Sequence, residues 1–323
     1  MVLVDVGPWG RVLDLYPHEG QTPELREAAL ILKGDYESAL DRGVLRVSNE
    51  VRTVLLDVIE REGGNQHNVL KNLESLAKIF PEAGLTPVGH YSAGASKIHR
   101  QNLHLPGDNR VRLVVPQVQA KDFPEKVDGR IMFSSSEFDG LDSPQWQWIR
   151  SLADLGHEFY WNPGARQVKG GLISETRRAL ENQASIFQVN EEENLMWRRS
   201  YGHLPQADWT VTTLGSGGAE LRIKGDDFHF PVVGIDRANL ILGEQWSPHP
   251  VGCGDAFLAS LIAVREVHEG VCPRWAGSFA SFMASIQFQH SGSNLSAIVD
   301  RLVERRDKIP YDLGNGISRR AVI

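Results

Sequence analysis

Apolar residues come in short bursts along this chain, and the spacing within each burst decides what it predicts. VLVDV at 2–6 is valine-rich and closed by Gly7 and Pro8, which predicts a buried strand. VLRVSNEVRTVLLDVIER (44–61) alternates β-branched and polar residues in two pieces, the pattern of an antiparallel ribbon. From about Asn68 to Phe80 the period changes: Val69, Leu70, Leu73, Leu76, Ala77 and Phe80 share one face of a helix. Beyond it, LTPVGHY, VRLVVP, RIMFS, EFYWN, SIFQV and WTVTTL read as strands, with helices over 144–155 and 172–183 between them. Strands alternating with helices are the signature of a mainly parallel sheet covered on both faces. The last third predicts helices at 254–268, 273–290 and 296–306. Residues 21–42 are polar and weakly helical, and no internal repeat or interdomain linker interrupts the chain. The expectation is one α/β domain over 1–323, with a strand-built appendage around 43–62.

Composition narrows the chemistry. With 34 basic and 41 acidic residues the formal net charge is -7, so no global basic field draws nucleic acid or anionic lipid. The two cysteines, Cys253 and Cys272, form no CxxC pair, which points to a reducing compartment. No apolar run reaches the length of a membrane span, and MVLVDVGPWG lacks the pattern of a secretion signal. A cytoplasmic protein with no nucleic-acid or membrane partner is expected.

The densest chemistry lies in HPVGCGDAFLASLI (249–262). Gly252 and Gly254 permit a tight turn, and the apolar spacing from Asp255 onward fits a buried helix. Amides of residues 252–255 then lie at a helix N-terminus, where they lack intrahelical acceptors and attract anions. Asp255 has two readings there: a base for an incoming hydroxyl, or a carboxylate capping the helix. Cys253 also has two, a backbone amide donor or a thiol of lowered pKa, although no histidine accompanies it in sequence.

GCGDAF (252–257) resembles the C-terminal signature of the ribokinase-like (PfkB) family of sugar and nucleoside kinases, which centres on Gly-Ala-Gly-Asp before a helix. The resemblance implies that Asp255 is the general base and that the amides of Cys253, Gly254 and Asp255, entered by Gly252, form the anion hole. Phosphoryl transfer asks for such positioning and charge stabilisation more than for covalent chemistry. EGGNQHNVLKNL (62–73) resembles the family's N-terminal signature, so Gly63 and Gly64 would approach the sugar and Asn68 would bond its hydroxyls. Gln66 and Leu70 replace the usual small residues of that motif. A loop and helix cap is the alternative reading of the same glycines.

VNEEEN (189–194) resembles the family's Asn-x-x-Glu element, which implies Asn190 beside the nucleotide phosphates and Glu193 holding Mg²⁺ through water. A helix cap followed by acidic residues explains the same letters. WTVTTLGSGGAEL (209–221) resembles the Thr-Leu-Gly-x-x-Gly nucleotide loop, placing Thr213, Gly215 and Gly218 at ATP, with a plain β-turn as the alternative. FASFMASIQFQHSG (279–292) resembles the late helix beside adenine, where Ser281 replaces the usual asparagine. A sugar-binding aspartate follows the first strand in the family; Asp14 in GRVLDLY is the candidate, and an exposed turn carboxylate is its other reading. The late arrival of the glycine pair predicts an N-terminal insertion.

These motifs stand in the family's order over residues 60–292. The resemblance implies a three-layer α/β/α domain with a mainly parallel central sheet and a small strand lid at 43–62, with 109–116 as its second candidate. It implies an ATP-dependent kinase using Mg²⁺ on a small-molecule sugar or nucleoside, ADP being the minority donor. A ligand-binding protein of the same fold without catalysis is the rival class. An exposed lid edge also predicts a homodimer.

Overall fold

Buried strands need apolar residues on both faces, and the four central bursts RIMFS, EFYWN, SIFQV and WTVTT supply them. The structure, a computed structural model, describes residues 2–7, 10–17, 44–47, 52–63, 65–91, 98–105, 109–114, 127, 129–134, 144–164, 174–233, 241–242, 251–268, 270–290, 292, 294–314 and 317–318. The polar stretch 21–42 lies outside them. The chain divides into two compact units.

The first unit comprises Met1–Pro8, Asn65–Ser92 and Ala120–Ile323. Its sheet contains β1 (Val2–Gly7), β5 (Thr86–Tyr91), β8 (Arg130–Ser134), β9 (Phe159–Asn162), β10 (Ala184–Asn190), β11 (Trp209–Thr213), β12 (Ala219–Ile223) and β13 (Asp226–Phe230), in the order β13-β12-β11-β10-β9-β8-β1-β5. From β5 to β11 all neighbours are parallel, while β12 and β13 add an antiparallel edge. The chain starts in the interior at β1, goes to β5 on one side and returns to β8 on the other. That reversal of winding is where open α/β sheets form crevices at their strand carboxyl ends.

Helices cover both faces, as the sequence pattern predicts. Met132, Tyr160, Ile186, Val211 and Leu221 point to the face packed by α1 (Asn65–Ile79), α5 (Cys253–Val267), α6 (Pro273–Phe288) and α7 (Val299–Glu304). Ile131, Phe133, Phe159, Trp161 and Phe187 point to the other, packed by α2 (Pro144–Asp154), α3 (Ser174–Gln183) and α4 (Glu191–Tyr201). The second face is aromatic: Trp161 stacks on Phe133 at 6.0 Å and meets Trp197 edge-on at 5.4 Å. A two-stranded ribbon, β14 (Tyr311–Asp312) with β15 (Ile317–Ser318), follows α7.

α1 begins three residues before the predicted start, so Asn68 lies in its first turn and not at its boundary. The expected helix 296–306 is shorter: Leu295–Ile298 and Arg306–Lys308 are 3₁₀ turns on either side of α7.

The second unit comprises Trp9–Gly64 and Ala93–Gln119. It holds β2 (Gly10–Pro17), β3 (Val44–Val47), β4 (Arg52–Gly63), β6 (Ile98–Leu105) and β7 (Asn109–Val114), in the order β3-β4-β2-β6-β7. The predicted ribbon is β3 against β4, with Val44 opposite Leu55. Of VRLVVP, residues 111–114 fall in β7, antiparallel to β6, and not in a parallel strand of the main sheet. Between them run β2 and β6, which the sequence pattern did not announce.

Candidate active site

α5 places its chemistry by lying antiparallel to the central strands. Its N-terminus sits over the carboxyl end of β10, where Gln188 Nε2 donates to the Gly254 carbonyl at 3.1 Å. Its C-terminus reaches the opposite end of the sheet, where Glu266 accepts from Arg130 Nη1 of β8 at 3.0 Å and from the Tyr160 hydroxyl of β9. Asp255 is thereby carried to the carboxyl end of the parallel strands, where ligands of such sheets bind.

Gly252 is the N-cap of α5, with φ 85°, a left-handed turn that favours glycine. The first intrahelical bond runs from Ala256 N–H to the Gly252 carbonyl at 2.8 Å. The amides of Cys253, Gly254 and Asp255 precede it and stand outside the i→i−4 ladder, at the positive end of the helix, which is the end that attracts anions. No side chain caps the helix at Gly252, and Asp255 is its third residue, so the carboxylate is not the cap residue.

Instead Asp255 Oδ2 accepts a 2.9 Å hydrogen bond from Asn68 Nδ2, across 187 residues of sequence. Two motifs identified separately in the sequence meet in that bond. Asn68 also accepts from Asn294 Nδ2 at 3.4 Å. Four residues along α1, Asn72 Oδ1 accepts the Leu295 backbone N–H at 2.7 Å, tying the 294–296 segment to the same helix face.

The turn preceding α5 is held from α6. Gln287 Nε2 donates to the carbonyls of Val251 (3.2 Å) and Gly292 (2.7 Å). His290, buried, accepts the Gly292 N–H on Nδ1, which leaves Nε2 to donate to Gln287 Oε1 at 2.9 Å. Cys253 lies half-buried in this turn. Burial, with the neighbouring Asp255 charge, pushes its thiol up to about 12, the opposite of the activation a helix N-terminus can give.

The nucleotide-side candidates gather along two strand ends. Asn190 ends β10 and is in register with Thr213 at the end of β11. Gly215 opens a 3₁₀ turn after β11 and Gly218 closes it. Asn190 and Glu193 form a reciprocal capping box on α4: Asn190 Oδ1 accepts the Glu193 N–H at 2.8 Å, and Glu193 Oε2 accepts the Asn190 N–H at 2.9 Å. The capping reading of these letters is therefore realised, with the pair at the end of β10. Ser281, buried in α6, donates to the Pro231 carbonyl at 3.2 Å.

The substrate-side candidates divide. Asp14 lies within β2, opposite Ile59 of β4, in a strand and not in a turn. Gly63 is the last residue of β4, opposite Gly10. Gly64 lies outside the described residues. Sequence reasoning missed Gln188, Asn72, Gln287, His290 and Asn294, which hold the start of α5, the 294–296 segment and Asn68. A usable signal was present: a polar residue inside an apolar burst, as in SIFQV and ASIQF, needs a buried partner.

Among the described residues no helix is long and apolar enough to cross a membrane. No protein-family model matches the chain, and no curated protein sequence does. Solved structures do. A nucleoside kinase of Methanocaldococcus jannaschii, an archaeal member of the ribokinase family, superposes with a TM-score of 0.63 at 12% identity, covering 95% of this chain and 98% of that one. A Burkholderia thailandensis nucleoside kinase in complex with inosine gives 0.61 at 17% identity, with 94% and 96% covered. A sugar kinase of Pyrococcus horikoshii in complex with ATP gives 0.61 at 15% identity, with 98% and 99% covered. With its six parallel strands, antiparallel edge and two helical layers, the chain has the ribokinase-like α/β/α fold.

Proposed function

We propose that this chain is an ATP-dependent small-molecule kinase that transfers the γ-phosphoryl group to a hydroxymethyl group of a sugar. The observation that carries the reading is the meeting of Asn68 with Asp255 in the first turn of α5, behind the left-handed Gly252. A carboxylate there accepts the proton of the attacking hydroxyl. The amides of Cys253, Gly254 and Asp255 stabilise charge on the transferred group without reorganising. Asn190, Thr213, Gly215 and Gly218 line the nucleotide side, with Ser281 on the adenine side. Asn68, Gly63, Gly64 and Asp14 serve the acceptor.

Glu193 offers hard oxygen at the end of β10, one oxygen being engaged in the α4 cap. Mg²⁺ would be held here through water and phosphate oxygens, the coordination this ion prefers to an all-protein cage. When bound it neutralises phosphate charge. The β3–β4 ribbon, with β7, acts as a lid that excludes water, and its edge offers a pairing surface for a second copy. The nucleoside kinases among the structural neighbours, one of them holding inosine, support a nucleoside acceptor as the second reading.

A phosphorylation screen of sugars and nucleosides, with ATP and ADP in parallel and Mg²⁺ present, tests the assignment. Transfer from ATP to at least one acceptor is expected. Asp255→Asn should lower turnover by roughly 10²–10⁴-fold or more while the variant still folds and binds nucleotide. Near-normal turnover in that variant would overturn the general-base role. Acceptor binding by calorimetry without any transfer would instead identify a binding protein.

A further inference from the structure

A side-chain amide can present either its oxygen or its nitrogen to a neighbour, so its direction must be argued from a partner that cannot change. Ser296 supplies one. Its backbone N–H, a donor only, bonds Asn294 Oδ1 at 3.2 Å, and its hydroxyl bonds the same oxygen. That fixes Asn294 with its nitrogen turned the other way, toward Asn68 Oδ1 at 3.4 Å. Asn68 in turn must aim its nitrogen at Asp255 Oδ2, at 2.9 Å. Both asparagines are buried, at 8% and 6% exposure, so water does not readily substitute for a lost partner. The result is a directed chain from a backbone amide through two side chains to the carboxylate.

We propose that Asn294 is a positioning residue for Asp255: acting through Asn68, it holds Oδ2 as an acceptor and opposes a proton on that oxygen, which favours the charged carboxylate. Asp255 protonated on Oδ2 could donate to Asn68 only if that amide turned its oxygen inward. Asn68 Nδ2 would then face Asn294 Nδ2, donor against donor, in a buried place. The 3.4 Å link is long, and its importance lies in this mismatch and not in its strength. Asn72 keeps the geometry by tying Leu295 N–H to α1 at 2.7 Å. The inference rests on the general-base reading of Asp255.

Carboxyl NMR titration of the full chain tests it, using ¹³C-labelled aspartate and assigning Asp255 by the resonance missing from Asp255→Asn. Asn294→Leu removes the donor at similar volume. Asn294→Asp keeps the acceptor for Ser296 and removes the donor to Asn68. Both variants should raise the Asp255 midpoint by about one unit, a tenfold change in proton affinity. A rise in Asn294→Asp alone is a charge effect and overturns the proposal, as does no rise in either. Should Asn294→Leu fail to fold, the wild-type protein decides: the Asn294 and Asn68 side-chain amide signals should both move with the Asp255 midpoint, and a stationary Asn294 signal overturns the proposal. Where an acceptor has been found, the acid limb of kcat should rise by the same amount. An inactive wild-type enzyme counts against the kinase reading, while the titration still tests the chain.

Discussion

The letters left Cys253 two readings, an amide donor or a thiol of lowered pKa, and its surroundings oppose the second. A thiol pushed up to about 12 is neutral at physiological pH and a poor nucleophile. Cys253→Ala should therefore leave turnover almost unchanged, since the backbone N–H stays in place. A loss above about a hundredfold, roughly 2.7 kcal/mol, would restore a role for sulfur. His67, beside Asn68 on α1, shows the same burial effect with the opposite sign. Burial, aided by Lys71, lowers it from 6.5 to about 4, so the unfolded chain binds its proton more readily between those values. Its contribution to stability is present above pH 6.5 and is lost as pH falls through 4, amounting to about 3 kcal/mol. Urea unfolding at pH 7 and pH 4.5 should show a larger acid loss in wild type than in His67→Gln, and equal losses would remove His67 as the cause. Neither effect was legible from composition, because both depend on which groups the fold buries together.

At the scale of elements, the central strands and the helices beside them were readable because each buries an apolar burst. β2 and β6 were not: GRVLDLYP and IHRQNLHL mix polar residues through their length and carry no clean period. Their pairing is set by partners in the second unit's sheet. Letters alone were likewise ambiguous in Asn190-x-x-Glu193, since a cap and a phosphate element need the same residues, and the structure shows the cap. Glycines separate more sharply. Gly218 has φ 91°, and a Cβ there would fall 2.0 Å from the Phe230 carbonyl oxygen, whereas Gly225, at φ 94°, faces open space. Gly225→Ala should cost about 1 kcal/mol of strain, and Gly218→Ala clearly more, upward of about 2 kcal/mol. Thermal unfolding of the pair would measure the difference, and equal costs would mean that the β13 end yields to the added methyl.

Across the first unit, strand direction separates what stabilises from what reacts. Glu266, its side chain 2% exposed, anchors α5 to Arg130 and Tyr160 at the end of the sheet far from Asp255. Glu266→Gln should destabilise by about 1–2 kcal/mol, because it removes the charge from two buried hydrogen bonds while Arg130, a quarter exposed, keeps Glu158. Below its unfolding transition the variant should keep wild-type kcat, and a drop would show that α5 transmits displacement along its length. The family motifs marked the carboxyl-end groups, but not the anchors at the other end, which carry no motif. The Asn68–Asp255 bond has a temporal consequence as well. Its partners are 187 residues apart, and Asn294, which donates to Asn68, comes later still. Contacts of such separation close late, because loop entropy must be overcome first. A ribosome-bound nascent chain thus lacks the Asn294–Asn68–Asp255 chain until Asn294 has emerged, and on refolding the Asn68 and Asn294 side-chain amide signals should return after the helical signal.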